Sequence, residues 1–125
     1  MIAPKLKTKE FSIEIHDEFI KLNDHRSDST ISKYEIQQMM VEVEKHRNSE
    51  KIFLLVVTGE NTMLTNEARE YITHLAKSKT FKIAIIIHDL AQRIMGNFVL
   101  HLLNNRTILQ LFTNEKDAKK WLLDN

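Results

Sequence analysis

Three apolar runs separated by amphipathic stretches constrain this chain more than any other feature. They are Ile52-Phe53-Leu54-Leu55-Val56-Val57, Ile83-Ala84-Ile85-Ile86-Ile87 and Thr107 to Phe112, and a stretch of helical period follows each. Continuous runs of about five or six residues, rich in β-branched side chains, are what strands become when helices cover both faces of a parallel sheet. The pattern predicts an α/β domain. No recognisable catalytic constellation accompanies it, so fold class is far better constrained than chemistry.

Upstream, Phe11, Ile13 and Ile15 alternate with Ser12, Glu14 and His16, the period of a half-buried strand. Asp17-Glu18 turns the chain, and Phe19 to Leu22 returns as the second strand of a hairpin. Asn23 to Thr30 reads as a loop. Ser32 and Glu35 have capping-box spacing, and Ile36, Met39, Met40 and Val43 then share one face of a helix ending near Arg47, with Asn48-Ser49 before the next strand. A second helix starts near Thr65 or Asn66 and runs to about Lys77, with a core stripe of Ala68, Tyr71 or Ile72, and Leu75. The third starts at Asp89, with Gln92 as a capping partner and Leu90, Ile94, Phe98 and Leu102 at helical spacing. The fourth starts near Thr113 and faces Ala118, Trp121 and Leu122 inward. The expected order is ββαβαβαβα, with residues 1–10 as a flexible tail carrying Lys5, Lys7 and Lys9, and residues 11–125 as one domain.

Composition removes several function classes. A chain of 125 residues, 42% of them hydrophobic, buries roughly two-thirds of its unfolded surface and needs no metal or disulfide to fold. It has no cysteine, which excludes thiolate metal sites and thiol nucleophiles. Eighteen basic against 17 acidic residues leave a net charge of +1, so nothing steers the chain to nucleic acid. No apolar run approaches the roughly 20 residues of a membrane span, and the first ten residues do not resemble a signal peptide. The expectation is a cytoplasmic protein without integral membrane association. Gly59 and Gly96 are the only glycines, so there is no phosphate-binding loop, and no cofactor is expected.

In open α/β sheets ligands bind beyond the C-terminal ends of the parallel strands. Here that edge gathers Asn23-Asp24-His25-Arg26, Thr58-Gly59-Glu60-Asn61-Thr62 and His88-Asp89. Asp24, His25, His88 and Asp89 are therefore the candidate ligand-edge residues. A metal site from His25, His88 and Asp89 competes with a plainer reading, in which His88 ends a strand and Asp89 caps a helix. The plainer one is preferred, because an N-cap Asp is worth about 1 kcal/mol by itself. No metal site is expected. There is no G-x-S-x-G elbow, and no serine has an obvious paired base. A receiver domain fits poorly, since Val57-Thr58-Gly59 offers no acidic phosphoacceptor. His74 and His101 receive no role, and Met39, Met40 and Met95 read as core filler. Gly96, mid-helix at a cost of about 1 kcal/mol relative to Ala, reads as close helix–sheet packing.

The element order, with Leu64 to Tyr71, Arg93-Ile94-Met95-Gly96-Asn97-Phe98 and Leu111 to Glu115 leading to Ala118 and Trp121-Leu122, resembles the STAS domain. More narrowly, it resembles the SpoIIAA-like group related to STAS/SEC14 proteins, many of them uncharacterised and bacterial. The resemblance implies a mixed β-sheet covered by helices, and a non-enzymatic regulatory module that binds a protein partner. Antagonist STAS domains carry a phosphorylated hydroxyl in an Asp-Ser-Ser/Thr-Gly segment. Here the corresponding stretch is Thr65-Asn66-Glu67-Ala68, which places Glu67 at the acceptor position and argues against that switch. Thr62, Thr65, Asn66, Glu67, Arg69, Arg93 and Asn97 are the expected partner-contacting residues. The alternative is a small-ligand or lipid-binding domain, suggested by the SEC14 side of the resemblance. It ranks second because short helices and dense aliphatic strands predict a filled core. An enzyme built on the strand-end edge ranks last. A homodimer is compatible with the sequence, and nothing in the sequence requires one.

Overall fold

A computed structural model describes residues 3–7, 10–47, 51–78, 80–102 and 107–124. The strands are β1 (Ala3–Lys7), β2 (Phe11–Ile15), β3 (Ile20–Asp24), β4 (Thr30–Ile31), β5 (Lys51–Val57), β6 (Met63–Leu64), β7 (Thr80–Ile86) and β8 (Ile108–Phe112). The helices are α1 (Lys33–His46), α2 (Asn66–Ser78), α3 (Leu90–Leu102) and α4 (Glu115–Leu123). Six strands form one sheet in the order β1-β2-β3-β5-β7-β8. β1, β2 and β3 run antiparallel, and β3, β5, β7 and β8 run parallel. Alternation in the hairpin and continuous apolar runs in β5 and β7 follow from this division. The hairpin keeps one polar face, whereas the central strands are covered on both sides.

Three short strands depart from the expected order. Residues 3–7, expected within a flexible tail, pair with β2 as the sheet edge, with an irregularity between Pro4 and Leu6. Pro4 has no N–H to give a ladder, and an edge strand is where a sheet tolerates it. Residues 1, 2, 8 and 9 of that tail, and the Asn48-Ser49 separator, lie outside the described residues. β4 and β6 form a separate parallel pair, Thr30 with Met63 and Ile31 with Leu64, where the sequence predicts no strand. Two-residue strands carry too little pattern to read.

Ile13, Ile20, Leu22, Ile52, Leu54 and Phe81 turn to one sheet face, beneath α1 and α2. Leu55, Ala84 and Ile86 turn to the other, where Ala118 and Leu122 of α4 close the layer. Helix starts are capped as their sequences specify. The Ser32 hydroxyl accepts from Glu35 N at 3.2 Å, and Glu35 Oε1 accepts from Ser32 N at 2.9 Å. Thr65 Oγ1 accepts from Ala68 N, and Asp89 Oδ1 from Gln92 N. Gly96 sits where a Cβ would come 2.8 Å from Leu111 Cδ1, the close approach of α3 to β8 that a mid-helix glycine implies.

Two expectations fail in packing. Leu90, Ile94 and Phe98 keep helical spacing but are 71%, 62% and 54% exposed. α3 instead turns Gln92 and Val99 into the protein. The side chain of Leu102, the last member of that stripe, lies outside the described set. The core is also not filled: a cavity of about 190 Å³ lies between the sheet and α1–α3.

Candidate functional site

The strand-end edge separates into networks that hold loops together. The loops after β3 and β5 are pinned to each other by Asp28 and Asn61, both in the left-handed region at φ 53° and 54°. Asn61 Nδ2 donates to Asp28 Oδ1 at 2.8 Å, and Asp28 N donates to the Glu60 carbonyl. Gly59 lies under the first of these loops, where no side chain fits. Gln92, 2% exposed, then ties both to α3. Its Nε2 donates to the carbonyls of Gly59 at 2.8 Å and Thr62 at 2.9 Å, and its Oε1 accepts from His88 N at 2.7 Å. Gln92 was expected to cap its own helix; its backbone N–H is capped, while its amide serves the neighbouring loops.

The four ligand-edge residues do not converge. Asp24, buried, accepts from Arg26 N at 3.0 Å and from Arg26 Nε at 3.2 Å. Arg26 Nη1 pairs with Glu35 at 2.9 Å, and its guanidinium lies 4.5 Å from the Phe11 ring centroid. Burial works against the guanidinium charge, but Asp24 and Glu35 outweigh it and raise the Arg26 pKa. His25 Nε2 is 2.9 Å from Ser12 Oγ on β2. His88 Nε2 is 2.6 Å from the Thr58 carbonyl, so that nitrogen carries a proton and donates. Asp89 is an N-cap. The ends of β3 and β7 have β5 between them, two strand spacings or about 10 Å. Among the described residues no group of three or more His, Asp or Glu side chains is placed to hold a metal ion.

The expected partner-contacting residues are dispersed as well. Thr62 is 2% exposed and hydrogen-bonded inward, so it belongs to the scaffold. Thr65 is a cap. Asn66 and Glu67 are exposed on the first turn of α2, and Arg69 Nη2 donates to Asn66 Oδ1. Arg93 and Asn97 are exposed on α3.

Asn66 and Arg69 border an open groove that the sequence did not disclose. α2 supplies Asn66, Arg69, Glu70 and Thr73 as a polar wall. α3 supplies Ala91, Ile94, Met95 and Phe98 as an apolar wall, with Met63 beside them. The Arg69 guanidinium lies 6.0 Å from the Phe98 ring centroid and spans the two walls. Gly96 was the available signal. It marks the side of α3 pressed to the sheet, and Ile94 lies about 160° round the helix from it.

No helix among the described residues is long and apolar enough to cross a membrane. No curated protein matches the chain. Among solved structures, the chain is similar to an uncharacterized protein of the DUF3478 family from Shewanella loihica, which has a SpoIIAA-like fold. The TM-score is 0.64 at 18% identity, covering 98% of this chain and 95% of that one. At that identity the likeness shows the fold alone, and the fold is SpoIIAA-like. The sequence also matches, over residues 13–124, a family described as a domain of unknown function, DUF7793. This chain belongs to the DUF7793 family.

Proposed function

We propose that the protein is a non-catalytic interaction module whose α2–α3 groove receives an amphipathic helix from a protein partner. The observation that carries this is the exposed stripe of Leu90, Ile94 and Phe98. A large apolar side chain in water stabilises nothing in the monomer, and a row of them along one helix marks an interaction surface. The two walls of the groove differ in kind. Ala91, Ile94 and Phe98 suit the apolar side of an incoming helix, and Asn66, Arg69 and Glu70 suit its polar flank. The strand-end carboxylates and imidazoles are engaged in caps and loop ties, which favours binding over catalysis.

A photo-crosslinker at Ile94, in protein expressed in its own host, tests this. The expected product joins position 94 to an amphipathic helix of another protein. A peptide of that helix should then lose at least tenfold in affinity for Ile94→Asp, the scale of an interface hot spot, with thermal stability unchanged. Crosslinks to a second copy of this chain alone would convert the groove into a homodimer interface and refute the partner. A small-ligand reading draws on a separate observation, the cavity beneath α1–α3.

A further inference from the structure

We infer that the cavity between the sheet and α1–α3 is a binding site for a small uncharged apolar molecule. It measures about 190 Å³. An apolar cavity of roughly 150 Å³ is already enough to stay dry and take up benzene, so this one suits a substituted benzene ring or a short branched hydrocarbon. Its walls include Val56, Ile83 and Ile85 from the sheet, Leu75 from α2, and Met95 and Val99 from α3. An empty space of this size lowers stability in proportion to its volume, because its lining atoms lack partners.

The polar groups at its margin set the ligand's chemistry. Asn23, Asp24, Thr58, Thr62, Gln92 and Thr107 reach the cavity edge, and all but Asn23 make side-chain hydrogen bonds within the protein. Among the described residues no buried side-chain nitrogen or oxygen lacks a hydrogen-bond partner. The rest of the lining is apolar apart from Asn23, so a charged group entering the cavity would lose most of its hydration without replacement. Recognition is by size and apolarity.

The route in is defined by two residues. Among the described residues, Met63 of β6 and Met95 of α3 are the two that line both the cavity and the surface groove. Met95 Sδ lies 3.4 Å from Leu64 N, a weak contact that closes the wall. Unbranched thioether side chains change rotamer easily, and these two are placed to swing aside for a small guest. Occupancy of the cavity does not depend on a partner in the groove.

Benzene is the probe, with the full chain carrying methyl-labelled methionine and read by NMR. Saturable shifts at Met39, Met40 and Met95, and a melting temperature that rises with benzene concentration, are expected. Leu75→Phe and Ile83→Phe each fill the space and should weaken benzene binding at least tenfold; either one, if folded, suffices. Benzoate should bind at least a hundredfold more weakly than benzene. The inference is overturned by shifts that stay linear up to benzene's solubility, by benzoate binding as well as benzene, or by Ile94→Asp abolishing benzene binding. The last result would place the probe in the surface groove. Failure of the crosslinking experiment at Ile94 leaves each of these readouts intact.

Discussion

A Cβ on Gly59 would lie 1.6 Å from the carbonyl oxygen of Arg26. The loop after β5 thus crosses the loop after β3 at backbone contact, and the requirement at residue 59 is space. Gly59→Ala must push two backbones apart and loosen the Asn61–Asp28 tie beside them. The expected loss is about 2–3 kcal/mol, at the upper end for overpacking. Urea unfolding should show a lower midpoint with an unchanged slope.

Gln92→Ala strands three backbone groups at once, two of them buried. The carbonyls of Gly59 and Thr62 lose a donor, and His88 N loses an acceptor. The expected destabilisation is about 2–4 kcal/mol, since each unsatisfied group costs about 1–3 kcal/mol and local relaxation recovers part. Hydrogen exchange should be fastest in residues 58–62 and at His88.

Ile94→Ser separates the two readings of α3. If the Leu90, Ile94, Phe98 stripe faced the core, removing this side chain would cost about 2–5 kcal/mol. With Ile94 62% exposed, the expected change in stability stays within about 0.5 kcal/mol. Chemical denaturation decides, and the variant should also be more soluble.

Gly96→Ala sets two effects against each other. The helix gains about 1 kcal/mol in propensity, but the new methyl meets Leu111 Cδ1 at 2.8 Å. Leu111 also lines the cavity and has room to turn into it. A net change under about 1 kcal/mol is expected by urea unfolding, together with weaker benzene binding as the displaced leucine takes up the space.

Glu115 gives stability an acid-side slope. Partial burial pushes its carboxyl up, but Lys119 and Lys21 together hold it below the usual carboxylate range. Both pair with it at 2.9 Å. A folded pKa below the unfolded one means that the contribution is present above about pH 4.3 and is lost as pH falls through the folded value. Glu115→Gln should cost about 0.5 kcal/mol at pH 6, the scale of exposed pairs. Its stability curve should converge on the wild-type curve once the pH has fallen below the folded value.

Local signals in the sequence were enough to specify the order of β2, β3, β5, β7, β8 and the four helices, the runs in β5 and β7, and the caps at Ser32, Thr65 and Asp89. Those signals are periodicity and hydrogen bonds over three residues, and they survive without knowledge of the rest of the chain. Gly96 belongs with them, since a mid-helix glycine already implies a close neighbour. Tertiary structure decided the remainder. α3 carries apolar residues on two sides, and only docking on β8 chose Val99 for the interior and left Ile94 in water. Thr62 and Gln92 are polar in sequence but buried, because two loops and a helix start converge on them. The cavity belongs to no segment: it is a mismatch between the volume under α1–α3 and the side chains that reach into it, and such a mismatch exists only after the elements are packed.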